Sequence, residues 1–411
     1  MTDSRPMSEH RARSFAIALA GVLILSVAVG FPPAYWPSAV AIDAIALLGL
    51  VWALRADSFA LDASSLPACV AMALIAVWGP AQLLFGSSVA PWRTARASID
   101  WVAYGLAFVT ASQILASERA RHLFLNILLW AATVFAVLAM LQMSTSPPLA
   151  YGIFPADDSL VGTFLYKNQF AAMMELAAPI ALWRALRGRE SPVAGLMFFA
   201  VLFAATVAST SRAGVILLAA EFICALAIAL YRRRIPLRTA AVLAGGLVAL
   251  AALASVVAGP QRIIEHFHEQ HPYSIRYQLL GSTLRMIAER PWFGAGMGTW
   301  RLLYPRFATF DIALVANEAH SDWAQWAAEG GIPFVCLMLV LVVSTLRAGF
   351  STTWGLGVLM VMIHSLIDYP TRAAAPGLLW FSLAGALLHA REPSRSGPRR
   401  GRSGGPSRGL P

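Results

Sequence analysis

The chain has 411 residues, of which 58% are hydrophobic and only 13% charged, and its mean hydropathy is +0.65. An ordinary soluble protein carries nearer ~25% charged residues, so that class is excluded. The net charge of +10 does not point to nucleic acid, because the basic residues sit mainly in short segments between apolar runs, as the positive-inside bias produces.

Those runs, each long enough to cross ~30 Å of hydrocarbon as a helix, predict an all-α polytopic membrane protein with about twelve transmembrane helices and one long periplasmic loop. In chain order they cover roughly 14–31, 37–54, 66–85, 99–116, 122–143, 168–186, 192–209, 213–230, 238–258, 323–346, 350–367 and 373–390. The first run is read as a retained anchor without a cleavage site. Cys69, Cys224 and Cys336 all fall inside apolar runs, so neither a disulfide framework nor a cysteine metal cluster is indicated. An even number of spans puts both termini on one side, and sorting Lys and Arg by alternate loops assigns 20 of the 31 to that side. Both termini are therefore expected in the cytoplasm.

The organisation that follows is an N-terminal bundle of about nine spans over 1–258, a periplasmic loop over 259–322, C-terminal helices over 323–390 and a basic, disordered tail over 391–411. The loop is the largest extramembrane segment, and a smaller excursion from Ser144 to Lys167 leaves the same face.

The polar residues that remain collect at that face. Arg212 lies in "STSRAG", in a connection so short that the guanidinium must sit at the membrane boundary. Arg276 and Arg285 lie in the long loop, and His320 stands just before the tenth run. Lys167 and Asn168, in "GTFLYKNQFA", open the sixth. Arginine keeps its charge when partly desolvated and grips phosphate bidentately, so this set suits a diphosphate carried on a lipid. An imidazole with an ordinary pKa near ~6.5 suits proton removal from an attacking hydroxyl. Arg212 could equally anchor a helix end, Arg276 could be a solvated loop charge, and His320 could be an interfacial histidine near the first-turn acids Glu318 and Asp322. His266, His268 and His271 in "EHFHEQH" have irregular spacing and read as a wet amphipathic surface, not a zinc site. "GAGMGTW" lacks the strand and lysine of a nucleotide loop and reads as a tight turn. Glu175, Glu221 and Asp43 lie within apolar runs, where ionisable groups form relays or face a polar interior. His364 and Asp368, near the same face, could support the site.

Five blocks, in order from about Gly162 to Pro370, resemble the bacterial O-antigen ligase and Wzy-type O-antigen polymerase superfamily. They are "GTFLYKNQFAAMMELAAPIAL", "TSRAG", Arg276 fifteen residues before Pro291 of "RPWFGAGMGTW", "AHSDWAQWAAEGG" with Glu329 nine residues after His320, and "HSLIDYP". Two positions depart from the family pattern: Ser321 stands where Asn is usual, and Leu280 where an aromatic is usual. The pattern also ranks Arg276 above Arg285 as the second functional arginine.

The resemblance implies a metal- and ATP-independent glycosyltransferase of the bacterial inner membrane, with no cofactor. It would move a glycan from an undecaprenyl-diphosphate-linked donor to a sugar hydroxyl of lipid A-core or a growing polysaccharide, at the periplasmic face. Arg212, Arg276 and His320 are the expected catalytic residues, and Lys167, Asn168, Arg285, Glu329, His364 and Asp368 the expected substrate-binding and supporting set. Partners are the lipid-linked donor, the acceptor and membrane lipid. The alternative is a secondary transporter or flippase with Glu175 and Glu221 as proton carriers, against which stands the lack of an internal repeat.

Overall fold

The computed structural model describes residues 8–28, 49, 63–144, 149–150, 154–155, 160–186, 192–258, 274–309 and 316–390. The run at 37–54 apart from residue 49, with Asp43 in it, the histidines at 266–271 and the tail after 390 lie outside the described residues. Thirteen α-helices are described: α1 Glu9–Ala28, α2 Leu66–Leu84, α3 Pro91–Ile114, α4 Glu118–Met143, α5 Lys167–Leu186, α6 Pro192–Ala208, α7 Arg212–Tyr231, α8 Leu237–Ala258, α9 Ser274–Glu289, α10 Trp300–Phe307, α11 Asp322–Thr352, α12 Leu356–His364 and α13 Ala374–Leu387. A two-residue antiparallel pair, β1 Leu149–Ala150 and β2 Phe154–Pro155, lies between α4 and α5. The architecture is all-α.

Among the described residues six helices, α1, α2, α4, α7, α8 and α11, are long and apolar enough to cross a membrane, where the sequence predicts twelve spans. Both faces of these helices are apolar. On α2, Ala68, Ala71, Met72 and Ile75 are buried while Leu66, Val70, Leu74 and Val77 are exposed, an outward face that suits hydrocarbon and not water. The apolar run at 350–367 folds differently from a span. The chain turns at Thr353, whose φ is +61°, and α12 is a nine-residue helix about 14 Å long at 1.5 Å per residue. Leu356 to Met362 are all buried, so α12 is enclosed by its neighbours. Gly357 sets its distance from α5, since a Cβ there would lie 2.4 Å from the Glu175 carbonyl oxygen.

Local signals start the helices that carry polar residues. Ser211 caps α7 by accepting from the Gly214 amide, and Ser321 caps α11 by accepting from the Ala324 amide, both at 3.3 Å.

The segment after α9 is stitched into the bundle. α11 kinks at Gly331 (φ +82°, ψ 173°) just before Pro333, which frees backbone groups on either side. The carbonyls of Ala328 and Glu329 accept from the amides of Ala295 (2.9 Å) and Gly296 (3.0 Å), and the Ile332 amide donates to Pro291 (2.8 Å). The buried Gln82 of α2 donates to the Glu329 carbonyl (2.8 Å) and accepts from the Met297 amide (3.0 Å). Gly294, Gly296 and Gly298 all have positive φ, so "GAGMGTW" is a tight turn that satisfies the kink. A Cβ at Gly331 would lie 2.3 Å from the Trp292 carbonyl oxygen. Gly331→Ala is therefore expected to destabilise the protein by roughly 2–4 kcal/mol, read as a lower thermal midpoint in detergent. An unchanged midpoint would contradict this account of the kink.

Candidate functional site

Asp368, in the connection between α12 and the 3-10 turn Pro370–Arg372, has a fully buried side chain and gathers groups from distant parts of the chain. Its Oδ2 accepts from the Asn168 amide, from the Tyr166 hydroxyl (3.2 Å) and from Arg276 (3.2 Å). Its Oδ1 accepts from the Tyr369 amide (2.9 Å) and faces His320 Nδ1 at 3.7 Å, just beyond hydrogen-bond distance. Arg276 also donates to the Tyr166 hydroxyl (2.9 Å) and to the Ile367 carbonyl (3.0 Å). The side chains of Arg276 and His320 are each 25% exposed, so the two meet on one buried carboxylate while keeping an open side. Burial pushes the Asp368 carboxyl up, but the neighbouring His320 and Arg276 outweigh it and hold the group below the usual carboxylate range.

The same network reaches the start of α7. Ser211, the cap residue beside Arg212, donates to Asn168 Oδ1 (2.7 Å), and Asn168 in turn donates to Asp368. Lys167 donates to the Thr210 hydroxyl (3.3 Å) in the same connection. Thr210 and His320 have positive φ, +59° and +54°. Strained non-glycine backbone persists where surrounding contacts over-determine it, and here two such residues flank one network. The imidazole of His320 stands edge-on to Tyr369 (centroids 5.0 Å apart) and Tyr166 (5.9 Å), which stack on each other at 5.1 Å with an interplanar angle of 4°.

A second charged cluster adjoins the first. Arg372 donates to Glu329 Oε2 at 2.9 Å, and its Nε lies 3.6 Å from Asp322 and 4.0 Å from Glu318. Asp322 Oδ2 accepts from the Thr371 hydroxyl (2.8 Å) and amide (3.1 Å). Gln325 donates to Glu318 (2.6 Å) and Glu329 (3.2 Å), and Glu329 also accepts from the Trp300 amide (3.1 Å). The Asp322 amide donates to the carbonyls of Ser365 (2.9 Å) and Asp368 (3.0 Å), joining the two clusters. Burial raises the Glu318 carboxyl, with Arg372 pulling it back.

The expected residues divide accordingly. Arg276, His320, Asn168 and Asp368 share one network, with Lys167 and Arg212 at its α7 edge. Arg285 lies apart, donating to the Phe307 carbonyl (2.8 Å) and Thr309 (3.3 Å), where it ties α9 to the end of α10. Glu329 belongs to the Arg372 cluster. His364 Nδ1 pairs with Glu175 at 2.8 Å, both fully buried, one turn before Asp368, and Glu221 is buried on neighbouring α7. Ser321, in the family's usual Asn position, serves as the α11 cap. Sequence reasoning did not single out Tyr166, Tyr369, Ser211 or Arg372. Tyr166 and Tyr369 lie inside motif blocks, and Arg372 sits in a short connection between apolar runs, the same signal that marks Arg212.

Fold and site thus define an all-α membrane protein with a buried, charged, hydrogen-bonded site where helix ends meet. Residues 197–339 match the family model described as O-antigen ligase, a stretch that includes Arg212, Arg276, Arg285, His320 and Glu329. The match supports the O-antigen ligase and polymerase superfamily for this chain, and with it a membrane glycosyltransferase type of function on lipid-linked glycans and polysaccharides. No curated protein matches the chain.

Proposed function

We propose that the protein is an inner-membrane glycosyltransferase that moves a glycan from an undecaprenyl-diphosphate donor to a sugar hydroxyl, on lipid A-core or a growing polysaccharide, at the periplasmic face. The observation that supports this most is the meeting of Arg276 and His320 on the buried Asp368. Arg212 and Arg276, with Lys167 nearby, hold the donor diphosphate and stabilise the charge it gains on leaving. Asp368 turns Nδ1 of His320 toward itself, which leaves Nε2 as the base. The acceptor oxygen attacks the anomeric carbon, its proton passes to Nε2, and the bond to the diphosphate oxygen breaks with the electron pair going to the diphosphate. Displacement at one carbon inverts the anomeric configuration. The leaving group already stores the required energy, so the reaction calls on no metal, ATP or other cofactor.

Arg276→Ala and His320→Ala are each expected to abolish glycan transfer to the envelope acceptor, with membrane levels of the protein unchanged. Full transfer in both variants would remove the assignment. Chemical analysis of glycolipids accumulating in a deletion strain separates the acceptors. Long lipid-linked chains identify ligation to lipid A-core, and single repeats identify polymerisation. The buried Glu175, His364 and Glu221 favour a second reading, a secondary transporter or flippase, which proton-driven uptake into proteoliposomes would support.

A further inference from the structure

The transfer network leaves one corner of the site unused. Tyr369 and Tyr166 form a parallel, half-buried stack beside His320. Tyr166 is held by its hydroxyl to Asn168, Arg276 and Asp368, whereas the Tyr369 hydroxyl makes no hydrogen bond among the described residues. Two residues before His320, the Glu318 side chain is 27% exposed. Its Oε2 is taken by Gln325 and lies 4.0 Å from Arg372, while its Oε1 takes no partner among the described residues. Glu318 also interacts electrostatically with both His320 and the Tyr369 phenol. The corner therefore combines aromatic rings, a phenol and a carboxylate oxygen that have no hydrogen-bond partner among the described residues, and an imidazole.

We propose that Tyr369 and Glu318 form the subsite for the acceptor's sugar ring, a pyranose, which delivers one hydroxyl to His320; this rests on the glycosyltransferase reading above. One face of a pyranose carries axial C–H groups of partial positive charge, which complement the negative face of an aromatic ring. Its equatorial hydroxyls need fixed acceptors and donors, and Glu318 Oε1 and the Tyr369 hydroxyl supply them. Few polar groups on an apolar platform are the usual construction of a small-molecule site. A carboxylate accepts from sugar hydroxyls and repels phosphate, so Glu318 favours an acceptor ring over the donor diphosphate.

The test uses the full chain in lipid nanodiscs, with oligosaccharides released from the cell's own envelope glycolipids by mild acid as the probe. Saturation-transfer NMR with irradiation of the aromatic protons is expected to label pyranose C–H protons in the wild type. Labelling should be lost in Tyr369→Leu, restored in part in Tyr369→Phe, which keeps the ring but lacks the hydroxyl, and weakened severalfold in Glu318→Gln. In the transfer assay, Tyr369→Leu and Glu318→Gln should raise KM for the acceptor about tenfold, with the donor KM unchanged. No labelling in the wild type, or equal labelling and acceptor KM in Tyr369→Leu, would overturn the subsite. If transfer proceeds normally while the variants change nothing, the subsite fails and the enzymatic reading stands. If the wild type transfers no glycan, that reading fails instead, and the NMR result still decides whether this corner binds sugar.

Discussion

Asp368→Asn is expected to lower transfer by at least about 100-fold, equivalent to ~2.7 kcal/mol of barrier, while the protein still reaches the membrane. Three donors converge on Oδ2 and a backbone amide reaches Oδ1. A carboxylate accepts at both oxygens, whereas the nitrogen of a side-chain amide only donates. Whichever way the substituted amide turned, a donor in the network would then face another donor. The lost charge also weakens the ion pair that Arg276 makes here and removes the anion that orients Nδ1 of His320. Stability should follow pH with a definite sign. The folded Asp368 carboxyl is held below its ordinary range, so its contribution is complete above the unfolded group's pKa and is lost as pH falls through the folded value. The difference in thermal midpoint between wild type and variant should stay constant across neutral pH and close only in acid. A difference that already closes near pH ~6 would be inconsistent with a depressed carboxyl. Near-normal transfer by Asp368→Asn would remove the carboxylate from the mechanism altogether.

The helices were legible in the sequence because lipid and protein core both ask for apolar residues. That same ambiguity is why 350–367 reads as a span: hydropathy cannot separate a helix facing hydrocarbon from α12, which is enclosed by other helices. α3 starts at Pro91, well before the run at 99, because Arg93 and Arg96 lie in a helical turn that hydropathy scores as loop. Within the site, Lys167, Asn168, Arg276, His320 and Asp368 stood out as ionisable or amide groups in ordered motif blocks. The tyrosines did not, since a Tyr beside an apolar run is ordinarily an interfacial residue, and only the stack and its hydrogen bonds give Tyr166 and Tyr369 a role. Arg285 shows the converse limit. Its charge and loop position match those of Arg276, and the nine-position offset along α9, about two and a half turns, is what carries it to Phe307 and away from Asp368.

Arg372→Met is expected to destabilise the protein by about 3–5 kcal/mol, the usual result when one partner of a buried charge cluster is removed. Met fills similar volume, so the loss comes from charge and not from a cavity. The Arg372 side chain is 17% exposed and stands among three carboxylates, of which Glu329 is 1% exposed and Asp322 fully buried. Without the guanidinium these acids either repel one another or take up protons, and both outcomes weaken the hydrogen bonds that Asp322 accepts from Thr371. Glu329→Gln in the Arg372→Met background should restore part of the loss, because the amide oxygen can still accept from the Trp300 backbone while one negative charge disappears. Glu329→Gln alone should cost stability, so the two changes are coupled by about 1–3 kcal/mol in a double-mutant cycle. Additive effects would mean that the two side chains act independently despite their 2.9 Å contact. Activity should fall with stability here, since the Asp322 amide is bonded to the carbonyls of Ser365 and Asp368. Loosening the Arg372 cluster shifts the backbone that holds the shared carboxylate, and through it both Arg276 and His320.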